Sequence, residues 1–242
     1  MINTLVIIVI CIALEQFLKG YKWPSEPKWV LRGLCWFAVV IGLGEQAHQA
    51  CRALLSAFAP FDFSFMGLWG IVPALLVYQV MVYWLHRAMH DVPLLWRIHQ
   101  HHHSSERIDI WSVYRAHPLE VPIFALPAAI AMGGLLGITE SAAVATGVIV
   151  VAIGLFQHTN VKTPRWLGYI IARPENHMLH HAREKHHSNY SDLPIVDMIF
   201  GTFENPIEPP AEFGFWDGAS TRVVDHLLCR DNISEPESSA AS

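Results

Sequence analysis

The sequence predicts an all-α integral membrane protein, with four to five membrane-embedded helices beneath a helical, histidine-rich cap on the cytoplasmic side. Three observations carry this. Hydrophobic residues make up 52% of the 242 and charged residues only 15%, against about 25% charged in an ordinary globular domain. The apolar residues gather in five blocks. Fifteen histidines are present, most of them in short clusters at the ends of or after those blocks.

The first block, Ile2 to Phe17, is nearly all aliphatic and is broken by Glu15. It lacks a basic leader, and Lys19 and Lys22 follow it, so it does not read as a cleaved secretory signal. The second, Gly33 to Gly44, reaches membrane length only with its flanks. The third, Phe65 to Leu85, runs 21 residues without a formal charge, and a span needs about 20. The fourth, Val121 to Ile138, meets that length marginally, and the fifth, Ala142 to Phe156, is short. The turn at Thr139, Glu140 and Ser141 makes these two a hairpin that need not cross fully. The last stretch, from Arg230, reads as a disordered polar tail. The domain limits expected are 1–62 for the N-terminal membrane helices, 63–206 for the unit that carries the histidine clusters and 207–242 for the C-terminal segment.

Charge orients the blocks. Lys19, Lys22, Lys28 and Arg32 lie between the first two, and only Arg52 between the second and third. The other eleven of the 16 basic residues follow the third. Alternating crossings put fifteen on one face, which the positive-inside bias makes cytoplasmic. The N-terminus then faces out. The net charge of −5 gives no reason to expect nucleic acid. Cys11, Cys35, Cys51 and Cys229 form no C-x-x-C pair, hence neither a disulfide framework nor a thiolate metal site.

The histidines ask for a chemical reason. In "HRAMH", His86 and His90 are four apart and share a helical face. In "HQHHH", His99, His102 and His103 do the same, while His101 points elsewhere and is expected to be incidental. In "HMLHH", His177, His180 and His181 repeat that geometry. Eight imidazoles exceed what one zinc ion uses; they fit two metal ions, whose identity nitrogen ligands alone do not choose. No H-E-x-x-H occurs, against the common zinc protease arrangement.

At these residues the chain resembles the fatty acid hydroxylase/sterol desaturase superfamily of integral-membrane di-iron enzymes. "YWLHRAMHDVPLLWRIHQHHHSS", "RAHPLE", "FQHTN", "ENHMLHH", "NY" and "DMIFGT" occur in that family's order, from about Tyr83 to Pro206. Ser191 and Val196 stand where the family often has glycine and an aromatic residue. The resemblance implies nine ligands: His86, His90, His99, His102, His103, His158, His177, His180 and His181. His117 is left open between ligand, ligand-orienting group, substrate contact and a structural role beside Pro118, and no catalytic residue is implied apart from the ligands.

Ligand rings usually donate their second N–H to a carboxylate or carbonyl. Asp91, Glu120, Glu175 and Asp197 are candidates, with Glu120 and Asp197 preferred, and Asn160 and Asn189 are placed in the same supporting layer. The resemblance further implies two Fe2+ ions, O2, a lipid substrate from the bilayer, and hydroxylation or desaturation of a C–H bond. The chain has no GxGxxG motif and no thiolate iron–sulfur set, so electrons are expected from outside, from a ferredoxin or small cytochrome with its reductase. A zinc hydrolase and a histidine-rich metal transporter are the alternatives. A transporter should also carry ligands within its spans, where the third block offers only Gln79.

Overall fold

The computed structural model describes residues 2–18, 20–55, 60–183 and 185–235. Among them the chain is helical throughout, with one isolated bridge between Ala182 and Phe213 and no strand. Helix α1 spans Ile2–Phe17, as the first apolar block predicts. Helix α2 runs Trp29–Leu55, far longer than the second block. Beyond Gly44 the sequence continues with Glu, Gln and Ala, good helix formers that extend the apolar segment without breaking it. A kinked 3-10 stretch, Ser64–Gly70, leads into α3, Ile71–Asp91. At 1.5 Å per residue α3 is about 32 Å long, close to the roughly 30 Å of a bilayer's hydrocarbon core.

Helix α4, Pro93–His103, follows after one extended residue, Val92. The middle of the chain makes a hairpin: α5, Glu120–Ala129, is extended by a π turn over Ile130–Gly134 and returns as α6, Glu140–Phe156. Pro127 inside α5 removes a ladder hydrogen bond just before the π turn. Thr139 caps α6 by accepting from the Ala142 amide. Gly137 in the turn has φ 56°, and a Cβ there would meet the Phe61 carbonyl, so only glycine closes it. The arms stand at or below the short end of the roughly 17–25 residues a crossing takes. Three short helices complete the chain: α7 (Pro174–His180), α8 (Pro194–Phe200) and α9 (Val223–Leu227).

Among the described residues, two helical segments are long and apolar enough to cross a membrane, Trp29–Leu55 and Ser64–Asp91. Helix α2 lies along α5, α3 packs on α4 and α6, and α1 packs on α6. The last two turns of α3, α4, the residues just past α6, and α7 converge at one end of this bundle. Helices α4, α7 and α8 all have proline in their first turn, where its fixed φ sets the helix start and no amide is lost.

The tail takes a form the sequence did not suggest. Arg230 and Asn232 dock on α4: the Gln100 side chain donates to the Arg230 carbonyl and accepts from the Asn232 amide. Trp216 donates to the Asn232 carbonyl. Residues 236–242, the rest of the tail expected to be disordered, lie outside the described residues.

Candidate metal centre

The structure gathers the nine histidines into two buried groups. His86, His90, His99, His103 and His180 form one, and His102, His158, His177 and His181 the other, with the nitrogens of each group within 4.8 Å of one another. Helix α4 supplies both. His99 and His103 turn to the first group and His102 to the second.

Hydrogen bonds determine which nitrogen of several rings is bare. The His86 Nδ1–H donates to the Tyr190 carbonyl at 2.8 Å, and that of His180 to the Ser188 carbonyl at 2.6 Å. The His158 Nδ1–H donates to the Gly154 carbonyl at 2.9 Å, and that of His99 to Glu120 Oε1 at 2.9 Å. A carbonyl or carboxylate can only accept, so the proton sits on Nδ1 and Nε2 keeps its lone pair. Yet His86 Nε2 stands 3.1 Å from the Nε2 of both His99 and His180. His158 Nε2 stands 3.3 Å from that of His102 and 3.0 Å from that of His177, which is itself 3.0 Å from that of His181.

Facing lone pairs at such distances repel unless a cation lies between them. Protons do not fill that role at neutral pH. Burial pulls His99 down to about 3 and His158 to about 4. Burial, then the neighbouring imidazoles, holds His102, His103, His177 and His181 well below the usual range. A metal does fit. Imidazole nitrogens about 2.0–2.1 Å from an ion stand roughly 2.9–3.4 Å apart at octahedral or tetrahedral angles, and the observed spacings fall within that range. Both ring nitrogens of His90 and the Nδ1 atoms of His102, His103 and His181 are also buried without a protein partner.

Glu120 joins the His99 ring at 2.9 Å and the His117 amide at 3.3 Å. The other expected supports stand one layer further out, and none bonds a ring of either group. Asp197 accepts from the amides of Tyr190 and Ser191 and the hydroxyls of Ser191 and Thr202. It therefore holds the loop whose Tyr190 carbonyl orients His86. Asn189, at φ 56°, bonds the Asn176 carbonyl and the Glu204 amide and braces α7. Asn160 clasps the backbone of Tyr21. Glu175 pairs with Arg173 at 2.8 Å and with Thr163 and Tyr21, while Asp91 sits at the surface beside Arg87.

Two further histidines stand outside the groups. His117 belongs to neither group: its Nε2 bonds the Leu227 carbonyl and its Nδ1 accepts from the Leu119 amide. It fastens the C-terminal segment over the cap. His101 also stays out of the groups, but it is fully buried against Trp36 and His226, with ring centroids 4.5 and 5.3 Å away. It is a core residue and not an incidental one. The face opposite the ligands looks outward only on an isolated helix, and here α2 and α9 cover it.

Beside the histidines lies a cavity of about 460 Å³, its walls formed by Val82, Val113, Val121, Phe124 and Val151. His86, His99, His102, His158 and His177 reach it. Polar residues also line it, and the sequence reading missed one of them, Asp192. Asp192 accepts from the side-chain amides of Gln79 (3.2 Å) and Gln157 (3.0 Å), and burial pushes its carboxyl up to about 6. The signal available was Gln79, the lone strongly polar residue of the third apolar block.

The fatty acid hydroxylase family model matches residues 71–202, a region that contains all nine histidines. The chain belongs to the fatty acid hydroxylase family. It is 31% identical over 143 residues to the ornithine lipid hydroxylase OlsE of Rhizobium tropici, covering 57% of this chain and 43% of that one. It is 31% identical over 151 residues to the alkylglycerol monooxygenase of Homo sapiens (60% and 33%). To the very-long-chain aldehyde decarbonylase CER1 of Arabidopsis thaliana it is 29% identical over 185 residues (70% and 29%). The chain thus spans less than half the length of these relatives. No solved structure matches it.

Proposed function

We propose that this fatty acid hydroxylase family member is a membrane di-iron oxygenase that hydroxylates a C–H bond of a lipid, with O2 and electrons supplied by a partner. The observation that carries the reading is the pair of buried histidine groups whose bare Nε2 atoms face one another beside an apolar-walled cavity. All nine ring sets are assigned as ligands, five to one iron and four to the other. When bound, the two irons supply O2-dependent attack on an unactivated C–H bond. Imidazole would hold zinc as well, so iron is argued from the family.

The chain's own part is positional. Carbonyls of Gly154, Ser188 and Tyr190, with Glu120, lock four rings with Nε2 inward. The valine and phenylalanine walls keep water from the reacting carbon and admit an alkyl chain. Hydroxylation is favoured over desaturation because relatives are named a hydroxylase and a monooxygenase. The lipid is a fatty acyl chain, sterol or other isoprenoid. The site lies on the cytoplasmic face of the cell inner membrane, where a ferredoxin or small cytochrome with its reductase can reach it, because fifteen of sixteen basic residues share that face under alternating crossings.

Vesicles holding the iron-loaded chain and a ferredoxin system test this. Under labelled O2, one labelled atom should enter a lipid alcohol and the other should leave as water. A product lighter by two hydrogens and unlabelled would mean desaturation. Turnover without O2 and reductant would promote a zinc hydrolase.

A further inference from the structure

Helix α8 presents the wrong face to water. Val196 and Asp197 point inward and are buried, while Ile195, Ile199 and Phe200 are exposed, Ile199 at 69%. The neighbouring 3-10 turn Arg165–Tyr169, which packs on α8, adds Trp166 at 62% and Tyr169 at 52%, and Ile170 follows at 59%. Large apolar side chains gathered in this way on two adjoining elements mark an interaction surface.

The patch continues a surface already assigned to lipid. On α3, Val72, Leu76, Val80 and Trp84 are all exposed and recur every fourth residue, so they form one stripe along the candidate span. The stripe ends at Trp84, whose ring meets that of Phe200 edge-on at 4.9 Å between centroids. From there the apolar surface passes onto α8 without a break. The composition is that of a bilayer interface, where Trp and Tyr concentrate. Basic side chains lie around it: Arg87 beside Trp84, and exposed Arg165 next to Trp166 in the chain. Such residues suit anionic headgroups.

We infer that α8 and the Arg165–Ile170 turn lie in the headgroup–acyl boundary of the membrane, seating the cap on the bilayer beside the cytoplasmic end of α3. The occupant of the patch is lipid. The inference rests on the membrane reading above and adds a contact that no span provides. It also has a consequence for the site. Asp197, on the buried face of α8, holds the loop whose Tyr190 carbonyl orients His86, so the seated helix and the metal group share one support.

The test uses the full chain with Cys11, Cys35, Cys51 and Cys229 changed to alanine and a single cysteine in place of Ile199, carrying an environment-sensitive NBD dye. The chain is reconstituted in phosphatidylcholine/phosphatidylglycerol vesicles containing lipid with a nitroxide near the headgroup or near the chain end. Blue-shifted emission, quenched more strongly by the shallow nitroxide than by the deep one, is expected. Water-like emission quenched by iodide and not by lipid overturns the inference. A dye shielded from both iodide and lipid also overturns it, since a protein partner or second copy would then cover the patch. A dye at Leu76 separates the two readings: lipid quenching there without quenching at Ile199 sinks the seating of α8 alone, and quenching at neither sinks the membrane reading with it. A dye replacing Trp166 repeats the measurement on the second element.

Discussion

Replacing Glu120 by glutamine should weaken the metal group that contains His99 while leaving the fold intact. Glu120 is buried, and its Oε1 accepts the His99 Nδ1–H at 2.9 Å. Burial pushes the Glu120 carboxyl up to about 8, so the comparison is made above that pH, where the group is ionised: a hydrogen bond to a charged acceptor contributes about 1.5–3 kcal/mol and a neutral one about 0.5–1.5. Glutamine keeps its amide oxygen for His99, so the change there is about 1–1.5 kcal/mol. Its NH2 then faces the His117 amide, donor against donor, and the 3.3 Å bond to that amide is lost. Since 1.4 kcal/mol is about tenfold in an equilibrium constant, metal affinity should fall roughly ten- to a hundredfold, the usual range for the partner of a ligand ring. Alanine should sit at or beyond the upper end, because it leaves the Nδ1–H with no partner and frees the ring to turn.

The assay is iron per chain after dialysis of detergent-purified protein against a graded series of chelator. Glu120→Gln should release iron at a lower chelator concentration than the parent. Retention identical to the parent would refute the claim that this carboxylate sets the ring, and would leave the lone pair of His99 to be directed by packing alone.

Other substitutions separate ligand from scaffold. His102→Ala should lose metal and activity yet still insert in the membrane, whereas His101→Ala should keep its metal and lose about 2–4 kcal/mol of stability through the void against Trp36 and His226; equal metal loss from both would undo the division between the two faces of α4. Asp197→Asn should destabilise the 189–192 loop by roughly 1–3 kcal/mol and shift the chelator curve less than Glu120→Gln does. Asp192 binds its proton more tightly folded, at about 6, than unfolded, at about 3.9. The folded state therefore holds the extra proton between those values, and stability falls as pH rises through that window, by at most about 3 kcal/mol; Asp192→Asn should flatten that slope in denaturation curves from pH 4 to 7, and an unchanged slope would assign it elsewhere. Single cysteines near Arg52 and near Arg183 should react oppositely with an impermeant thiol reagent, and labelling of the Arg183 site from outside intact cells would invert the topology.

What could be read from the sequence depended on range. Clustered ligands at three and four residues' separation identify themselves, because one helical turn brings them together whatever the rest of the chain does. The apolar blocks located α1, α3 and α6 for a similar reason: membrane length is a property of the segment. The length of α2 could not be read from hydropathy, since its last turns are built from Glu, Gln and Ala, which favour helix without being apolar. The roles of Asp197 and Asn189 were hidden because they act on backbone groups, and a carbonyl such as that of Tyr190 carries no side-chain signature. Asp192 was hidden because its partners, Gln79 and Gln157, stand 113 and 35 residues away.

The division of the histidines is the part that spacing alone most obscures. Helix α4 directs the i, i+4 pair His99 and His103 to one group and His102 to the other. The "HMLHH" segment does the reverse, directing His177 and His181 to the second group and His180 to the first. Each segment therefore completes the other's group, and the two groups abut where His103 and His181 stack at 4.2 Å, 16° from parallel. Neither group can assemble from a single segment, because an i, i+4 pair supplies only two donors and even an open catalytic site takes about three. A shift of α7 against α4 would strip a donor from each group at once. The buried Arg173–Glu175 pair, with its bonds to Thr163, Asn205 and the Pro206 carbonyl, opposes that shift. It ties α7 to segments outside the metal groups, so the register of α7 is set before any ion binds. The polar network behind the cap thus keeps two half-sites on different helices aligned, and this alignment is what sets the two histidine groups side by side.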